Sequence, residues 1–155
     1  MRWFLVALLI AVASGSVNLS TGSHYSCLAH GEQVRCWGVR YRLGQGTTIN
    51  YGSDPRQMET LAPIMFSSAL GKAKKVFSGS TFSCVLFESG KIACFGANYV
   101  GQLGTDTDVD FGCNGCAAVN TLSGITFNAV TLVVESMSLG VLHACALFTN
   151  GKVIW

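Results

Sequence analysis

Charge is scarce in this chain of 155 residues. Ten basic and eight acidic side chains make up 12% of the residues, against about 25% in an average soluble protein. The net charge of +2 lacks the basic excess that a nucleic-acid-binding protein usually carries. Since 50% of the residues are hydrophobic, a disordered chain and a charged helical bundle are both excluded, and we predict no nucleic-acid partner.

Recognisable catalytic motifs are also missing. The chain has no Gly-x-Ser-x-Gly elbow, its Gly-Lys pairs lack the upstream glycine of a phosphate-binding loop, and its three histidines show no triad or metal spacing. Asp106, Asp108 and Asp110 alternate as in a calcium loop. However, Phe111 and Ala117 replace the glycine and the bidentate glutamate that such a loop needs. We therefore predict no enzyme, no cofactor and no metal site.

Long hydrophobic runs are absent apart from the eleven residues Trp3 to Ala13, which follow Met1-Arg2. This run is too short to span a bilayer, so we predict no membrane span. The small residues Ala11 and Ala13 precede Ser14 in the form of a signal-peptidase site. We predict a signal peptide at residues 1–13 and a secreted protein; a buried N-terminal strand or helix is the alternative.

Glycine and cysteine, by contrast, are plentiful, with 18 and seven residues. Export would place the cysteines in an oxidising compartment, where they pair with one another more often than they bind metal. Because seven is odd, at least one has no partner within this chain. Asn18 begins an Asn-Leu-Ser sequon and is a weak candidate for glycosylation.

The sequence repeats itself. In three units a glycine precedes a cysteine by five residues, and the cysteines recur after 57 and then 61 residues. The pairs are Gly22 and Cys27, Gly79 and Cys84, and Gly140 and Cys145.

Each unit has the pattern of a β-hairpin. In the second, placing Cys84 opposite Cys94 brings Leu86 opposite Ile92 and leaves Glu88-Ser89-Gly90 as a loop with glycine where positive φ is needed. The first unit gives the same register around a Gly31-Glu32 turn, and the third places Leu147 opposite Val153. All three registers agree.

Opposed residues on antiparallel strands have Cβ atoms about 4.5–5.5 Å apart, which makes a cross-strand disulfide feasible. Zinc binding is the weaker alternative, because no third and fourth ligands recur at matching spacing. Cys113 and Cys116 have redox-motif spacing but follow a loop, so we predict a small local disulfide, with a bond to Cys145 as the alternative. The predicted disulfides are Cys27–Cys36, Cys84–Cys94 and Cys113–Cys116.

These residues resemble a known repeat. The pattern Gly-x-x-His-Ser-Cys-Ala-Leu, followed by Gly-x-Val-x-Cys-Trp-Gly-x-Asn-x-x-Gly-Gln-Leu-Gly, is that of the regulator of chromosome condensation family in its cysteine-bearing form. The match is best at residues 79–104, where Phe95 replaces tryptophan. In the first repeat Arg40 replaces the asparagine. The repeat glycines, to which we assign a structural role, are Gly22, Gly38, Gly79, Gly96, Gly101, Gly104 and Gly140.

The resemblance implies an all-β fold, a β-propeller built from blades of four antiparallel strands. It covers residues 17–155 as two repeats and part of a third, at about 17–75, 76–136 and 137–155. We expect residues 47–75 and 105–134 to supply the remaining strands. Because propellers close with about four to eight blades, we expect further blades beyond this chain.

We therefore expect a secreted, disulfide-braced, non-catalytic propeller that binds a protein or glycan ligand. Neither the binding residues nor the ligand follow from the sequence. The first alternative is a guanine-nucleotide exchange factor of the Ran regulator type. The second is an accessory repeat region of a larger protein with an enzyme domain further along.

Overall fold

A computed structural model of the chain describes residues 17–125, 127 and 133–155; the predicted signal peptide lies outside them. The described part contains nine short strands and one α-helix of five residues, α1 (Pro55–Glu59). None of its helices is long and apolar enough to cross a membrane. The strands are β1 (Asn18–Thr21), β2 (Tyr25–His30), β3 (Gln33–Gly38), β4 (Ala73–Ser78), β5 (Phe82–Phe87), β6 (Ile92–Gly96), β7 (Val134–Leu139), β8 (Ala144–Phe148) and β9 (Val153–Ile154).

The strands form three antiparallel sheets, one for each sequence repeat, in the orders β1-β2-β3, β4-β5-β6 and β7-β8-β9. In every sheet the last two strands are the predicted hairpin. The predicted registers are confirmed: Cys27 lies opposite Cys36, and Cys84 opposite Cys94. Leu147 lies opposite Val153 in the third hairpin.

The hairpin turns follow from their sequences. Gly31 and Glu32 both have positive φ, 57° and 70°, as a two-residue type I′ turn requires. In the second hairpin the three-residue loop places Gly90 at φ 80°, where its N–H donates to the Phe87 carbonyl at 3.0 Å. Local turn chemistry therefore sets the cysteine register.

The number of strands differs from the prediction of four. Among the described residues each sheet has three strands, and in the first two sheets isolated bridges take the place of the fourth. Gly38 pairs with Tyr51, and Gly96 with Phe111, through two backbone hydrogen bonds each. In the second sheet Ile92 also pairs with Ile125, but residues 112–124 between the two bridges form no strand. The returning segments are rich in glycine and polar residues, which have low strand propensity, so the pairing is limited to isolated residues.

The hydrophobic core lies between the sheets. One cluster joins the first two sheets and includes Leu43 and Val85; another joins the second and third and includes Leu86 and Phe148. Because β5 contributes to both, all six of its residues are buried and the usual apolar–polar alternation is lost. The three sheets are consecutive blades of an incomplete propeller.

Candidate functional site

The hairpin cysteines lie in bonding geometry. Cys27 and Cys36 have Cα atoms 4.1 Å apart, Cys84 and Cys94 4.0 Å apart, and all four are buried. This geometry fits the predicted pairs Cys27–Cys36 and Cys84–Cys94.

Cys113 and Cys116 also lie close together in space, with Cα atoms 5.1 Å apart, but their side chains are only half-buried. Cys145 has no disulfide partner in the described part of the chain. The arrangement fits the local pair and not the alternative bond to Cys145.

A buried tyrosine joins the first repeat to the second. Tyr25, at the position of the family's histidine, lies on β2, and its hydroxyl donates to the Phe82 carbonyl at 2.6 Å. The same oxygen lies 2.9 Å from Ser83 Oγ and 3.2 Å from the Gly79 carbonyl. Burial raises the pKa of the Tyr25 hydroxyl, partly opposed by the hydrogen bond to Ser83.

Strand β1 contacts strand β4 through side chains. Asn18 Oδ1 accepts the backbone N–H of Val76 at 2.6 Å, and Ser20 Oγ accepts that of Ser78 at 2.8 Å. These bonds satisfy two donors on the edge of β4. The glycosylation candidate Asn18 is thus half-buried between two blades, and its modification stays a prediction.

The repeat glycines lie at close approaches and turns. A Cβ on Gly79 would lie 2.6 Å from the Gly140 carbonyl oxygen, and one on Gly22 would collide with the Gly79 carbonyl, so neighbouring blades could not approach as they do. Gly140 lies against the ring of His143. Four of the seven repeat glycines have positive φ: Gly38 (118°), Gly96 (115°), Gly101 (77°) and Gly104 (64°).

Asn98 organises the loop that contains the three alternating aspartates. It is fully buried, and its amide nitrogen donates to Thr105 Oγ1 and to the Thr107 and Val109 carbonyls at 2.7–3.2 Å. Its amide oxygen accepts the Leu103 N–H at 2.9 Å. A side-chain amide therefore fills the inside of this loop, the place that a cation takes in a calcium loop.

The loops that follow β3 and β6 expose aromatic side chains at matching positions. Tyr41 comes three residues after Gly38 and is 56% exposed; Tyr99 comes three residues after Gly96 and is 61% exposed. Val100 beside Tyr99 is 57% exposed. We call these two segments, residues 39–43 and 97–103, the rim loops.

A further cluster was not predicted. Asp110, Cys113 and Cys116 each offer one potential ligand atom, and these three atoms lie within 4.8 Å of one another. From the sequence, the aspartate belongs to the calcium-like pattern and the two cysteines to a predicted disulfide, so the two motifs predict no common site. Their overlap within seven residues was the available signal.

The blades and their cysteine hairpins define the class: a propeller repeat fold with disulfide-capable cysteines. Residues 73–102 match the regulator of chromosome condensation (RCC1) repeat, which confirms the resemblance there. Among curated proteins, none matches the chain by sequence.

Two solved structures are similar in fold. Yeast RCC1 (Prp20), solved bound to Kap60, superposes with a TM-score of 0.61 over 91% of this chain and 29% of its own, at 19% identity. Human WBSCR16 gives a TM-score of 0.59 over 89% of this chain and 32% of its own, at 18% identity. The chain thus spans about a third of the length of these two structures.

Proposed function

We propose that this chain is part of a secreted, non-catalytic propeller that binds a protein partner through its rim loops. The observation that carries the proposal is the exposure of Tyr41 and Tyr99 at the same position of consecutive blades. Tyrosine is enriched at protein interfaces and among the residues that contribute most to binding energy. A repeated fold presents the two side chains along one rim.

The rim loop of the second blade is held rigid, which favours binding. Asn98 anchors it from within, and the Gly101 N–H donates to the Asn98 carbonyl at 2.8 Å. A loop that is already ordered loses little conformational entropy when a partner binds. Tyr99 and Val100 form an apolar surface that suits a protein better than a glycan.

The comparison with yeast RCC1 adds modest support, because that propeller was solved with a protein partner, Kap60. Export is supported by the predicted signal peptide at residues 1–13 and by cysteine pairs that suit an oxidising compartment.

The test is a screen of the purified chain against arrays of extracellular proteins and of glycans. The probes are the wild type, a Tyr41→Ala/Tyr99→Ala variant and a Met65→Ala control. Met65 is 70% exposed but lies outside both rim loops. We expect a protein ligand whose affinity falls about tenfold or more in the double variant and is unchanged in the control.

Binding that is equal in all three probes would contradict the proposal, as would ligands found only on the glycan array. Each variant is first shown to unfold at the wild-type temperature, so that lost binding reports the rim loops and not the fold.

Exchange activity of the Ran regulator type is the alternative, and a nucleotide-release assay separates the two. We expect release from added Ran at its spontaneous rate, with and without this chain. Stimulation that depends on the chain would replace our proposal with this alternative.

A further inference from the structure

The cluster of Asp110, Cys113 and Cys116 differs from the two hairpin cysteine pairs. The hairpin cysteines are buried in the apolar core, whereas all three members of the cluster are half-buried. Its two cysteines line a groove between the first two blades, together with Gly44 and Gln45. Solutes can therefore reach this cluster.

Backbone hydrogen bonds fix the cluster without help from a disulfide. The Ala117 N–H donates to the Asp110 carbonyl at 3.2 Å, and the Gly112 N–H donates to the Ala117 carbonyl at 2.8 Å. The Cys116 N–H donates to the Cys113 carbonyl at 3.1 Å and forms a tight turn. Backbone hydrogen bonds thus close both the base of the loop and the Cys113–Cys116 turn. We therefore expect the loop to keep its shape when the two sulfurs are reduced.

The carboxylate is oriented as well. Asp110 Oδ1 accepts the backbone N–H of Asn98 at 2.6 Å, a bond that reaches the loop from the rim loop that follows β6. Supporting hydrogen bonds of this kind hold a metal-binding carboxylate in place before the ion arrives. Among the described residues no hydrogen bond reaches Asp110 Oδ2, so this oxygen is available to a ligand.

We infer that the reduced cluster binds a thiophilic divalent cation of the zinc or cadmium class. The two thiolates and the carboxylate supply three ligands, and water completes a tetrahedral set. Calcium and magnesium prefer oxygen ligands alone, so two sulfurs select against them.

The site and the disulfide exclude each other. A dithiol reductant supplies two electrons and two protons, one of each to Cys113 and Cys116, and is itself oxidised to a disulfide. The cation then displaces the two thiol protons to solvent and bonds to both sulfurs. The chain therefore binds the cation only under reducing conditions.

Cadmium titration of the whole chain tests this inference, because cadmium–thiolate bonds absorb in the ultraviolet. All proteins carry Cys145→Ser to remove the unpaired thiol, and each is titrated after phosphine reduction and without it. We expect a band that saturates at one cadmium per reduced chain and no band in the unreduced chain.

Three variants assign the ligands. Cys113→Ser should abolish the band, and Asp110→Asn should weaken affinity by roughly tenfold or more while its amide oxygen keeps the bond to Asn98. Asp108→Asn is the matched control and should bind like the parent, because Asp108 lies outside the cluster.

Alkylation provides a second measurement that needs no variant. Bound cadmium should protect Cys113 and Cys116 from iodoacetamide in the reduced protein, as read by peptide mass. Absence of a band, a band that survives Cys113→Ser, or thiols that react equally with and without cadmium would each overturn the inference.

Discussion

At the scale of single residues, Tyr25 shows how one side chain can join two blades. Its ring lies in the first sheet and its hydroxyl reaches backbone carbonyls of the second, at Phe82 and Gly79. Buried polar groups that lose their partner cost more than the bond itself contributes. The contact is therefore sensitive to removal of a single oxygen.

Tyr25→Phe should destabilise the protein by about 1–2 kcal/mol, because the Phe82 carbonyl loses one of its donors and the buried Ser83 hydroxyl loses a partner. Phenylalanine fits the site, since Phe82 occupies the equivalent position of the second repeat. Thermal or urea unfolding measures the change. Tyr99→Phe is the control and should leave stability unchanged, because Tyr99 is exposed. An effect of equal size in both variants would contradict this account.

Tyr25 also makes stability depend on alkaline pH. Burial raises its pKa above the ordinary value of 10.0, so the folded state holds the proton more tightly than the unfolded state. This contribution is complete below pH 10 and is lost as the pH rises from there through the folded-state pKa. Urea unfolding across this range should show a smaller loss in Tyr25→Phe than in wild type. Equal alkaline losses would contradict it.

The role of Tyr25 was not predictable from local pattern. Its partners Gly79, Phe82 and Ser83 are 54–58 residues away, close to the repeat spacing of 57. Hairpin registers, in contrast, depend on residues within one turn and were predicted. Equivalent positions of neighbouring repeats stack in the fold, so the partners of Tyr25 lie one repeat further along the chain. A local sequence pattern does not contain this information.

At the scale of elements, Asn98 holds together the segment that follows β6. Four hydrogen bonds from one side chain tie residues 103–109 into a compact loop. In the first repeat the equivalent sequence position is Arg40, which carries no side-chain amide.

Asn98→Ala should cost about 2–3 kcal/mol, because several buried groups lose their partner at once. The loss should be concentrated in the loop, where hydrogen exchange of the Leu103 amide speeds up while that of β5 changes less. Asn150→Ala is the control, since Asn150 is exposed and makes one bond to the Lys152 N–H. Uniform acceleration across the sheet would contradict a local role.

The hairpin disulfides are testable by peptide mapping without reduction. We expect fragments that link Cys27 to Cys36 and Cys84 to Cys94. Since these bonds close loops of nine and ten residues, each should stabilise by less than the roughly 3 kcal/mol of a 15-residue loop. Free thiols at these positions in protein from the secretory route would contradict the prediction.

At the scale of the whole molecule, the repeat pattern was enough to predict the class of fold. Glycine and cysteine spacing predicted the three hairpins, and the resemblance supplied their arrangement as blades. It overstated the number of strands in the described residues, because isolated bridges replace the fourth strand, at Tyr51 in the first blade and at Phe111 and Ile125 in the second. The family resemblance predicts the usual four-stranded blade. In this chain the glycine-rich and polar segments limit the backbone pairing at the position of the fourth strand.

Export is a prediction about the whole molecule. N-terminal sequencing of the product from secreting cells should begin at Ser14, after removal of residues 1–13. A variant with Ala11 and Ala13 both replaced by arginine should keep the segment, because signal peptidase requires small residues there. Intact Met1 in a soluble cytosolic pool would contradict the prediction.

The placement of the cysteine pairs also has a mechanical consequence. Each hairpin pair closes within its own repeat, so no hairpin disulfide links one blade to the next. Under tension the blades can separate one by one, while each oxidised hairpin keeps nine or ten residues out of the stretched chain, roughly 30 Å of length. Reduction would release that length. The stretched molecule would thus be longer in a reducing medium than in an oxidising one, by the length that each reduced hairpin releases.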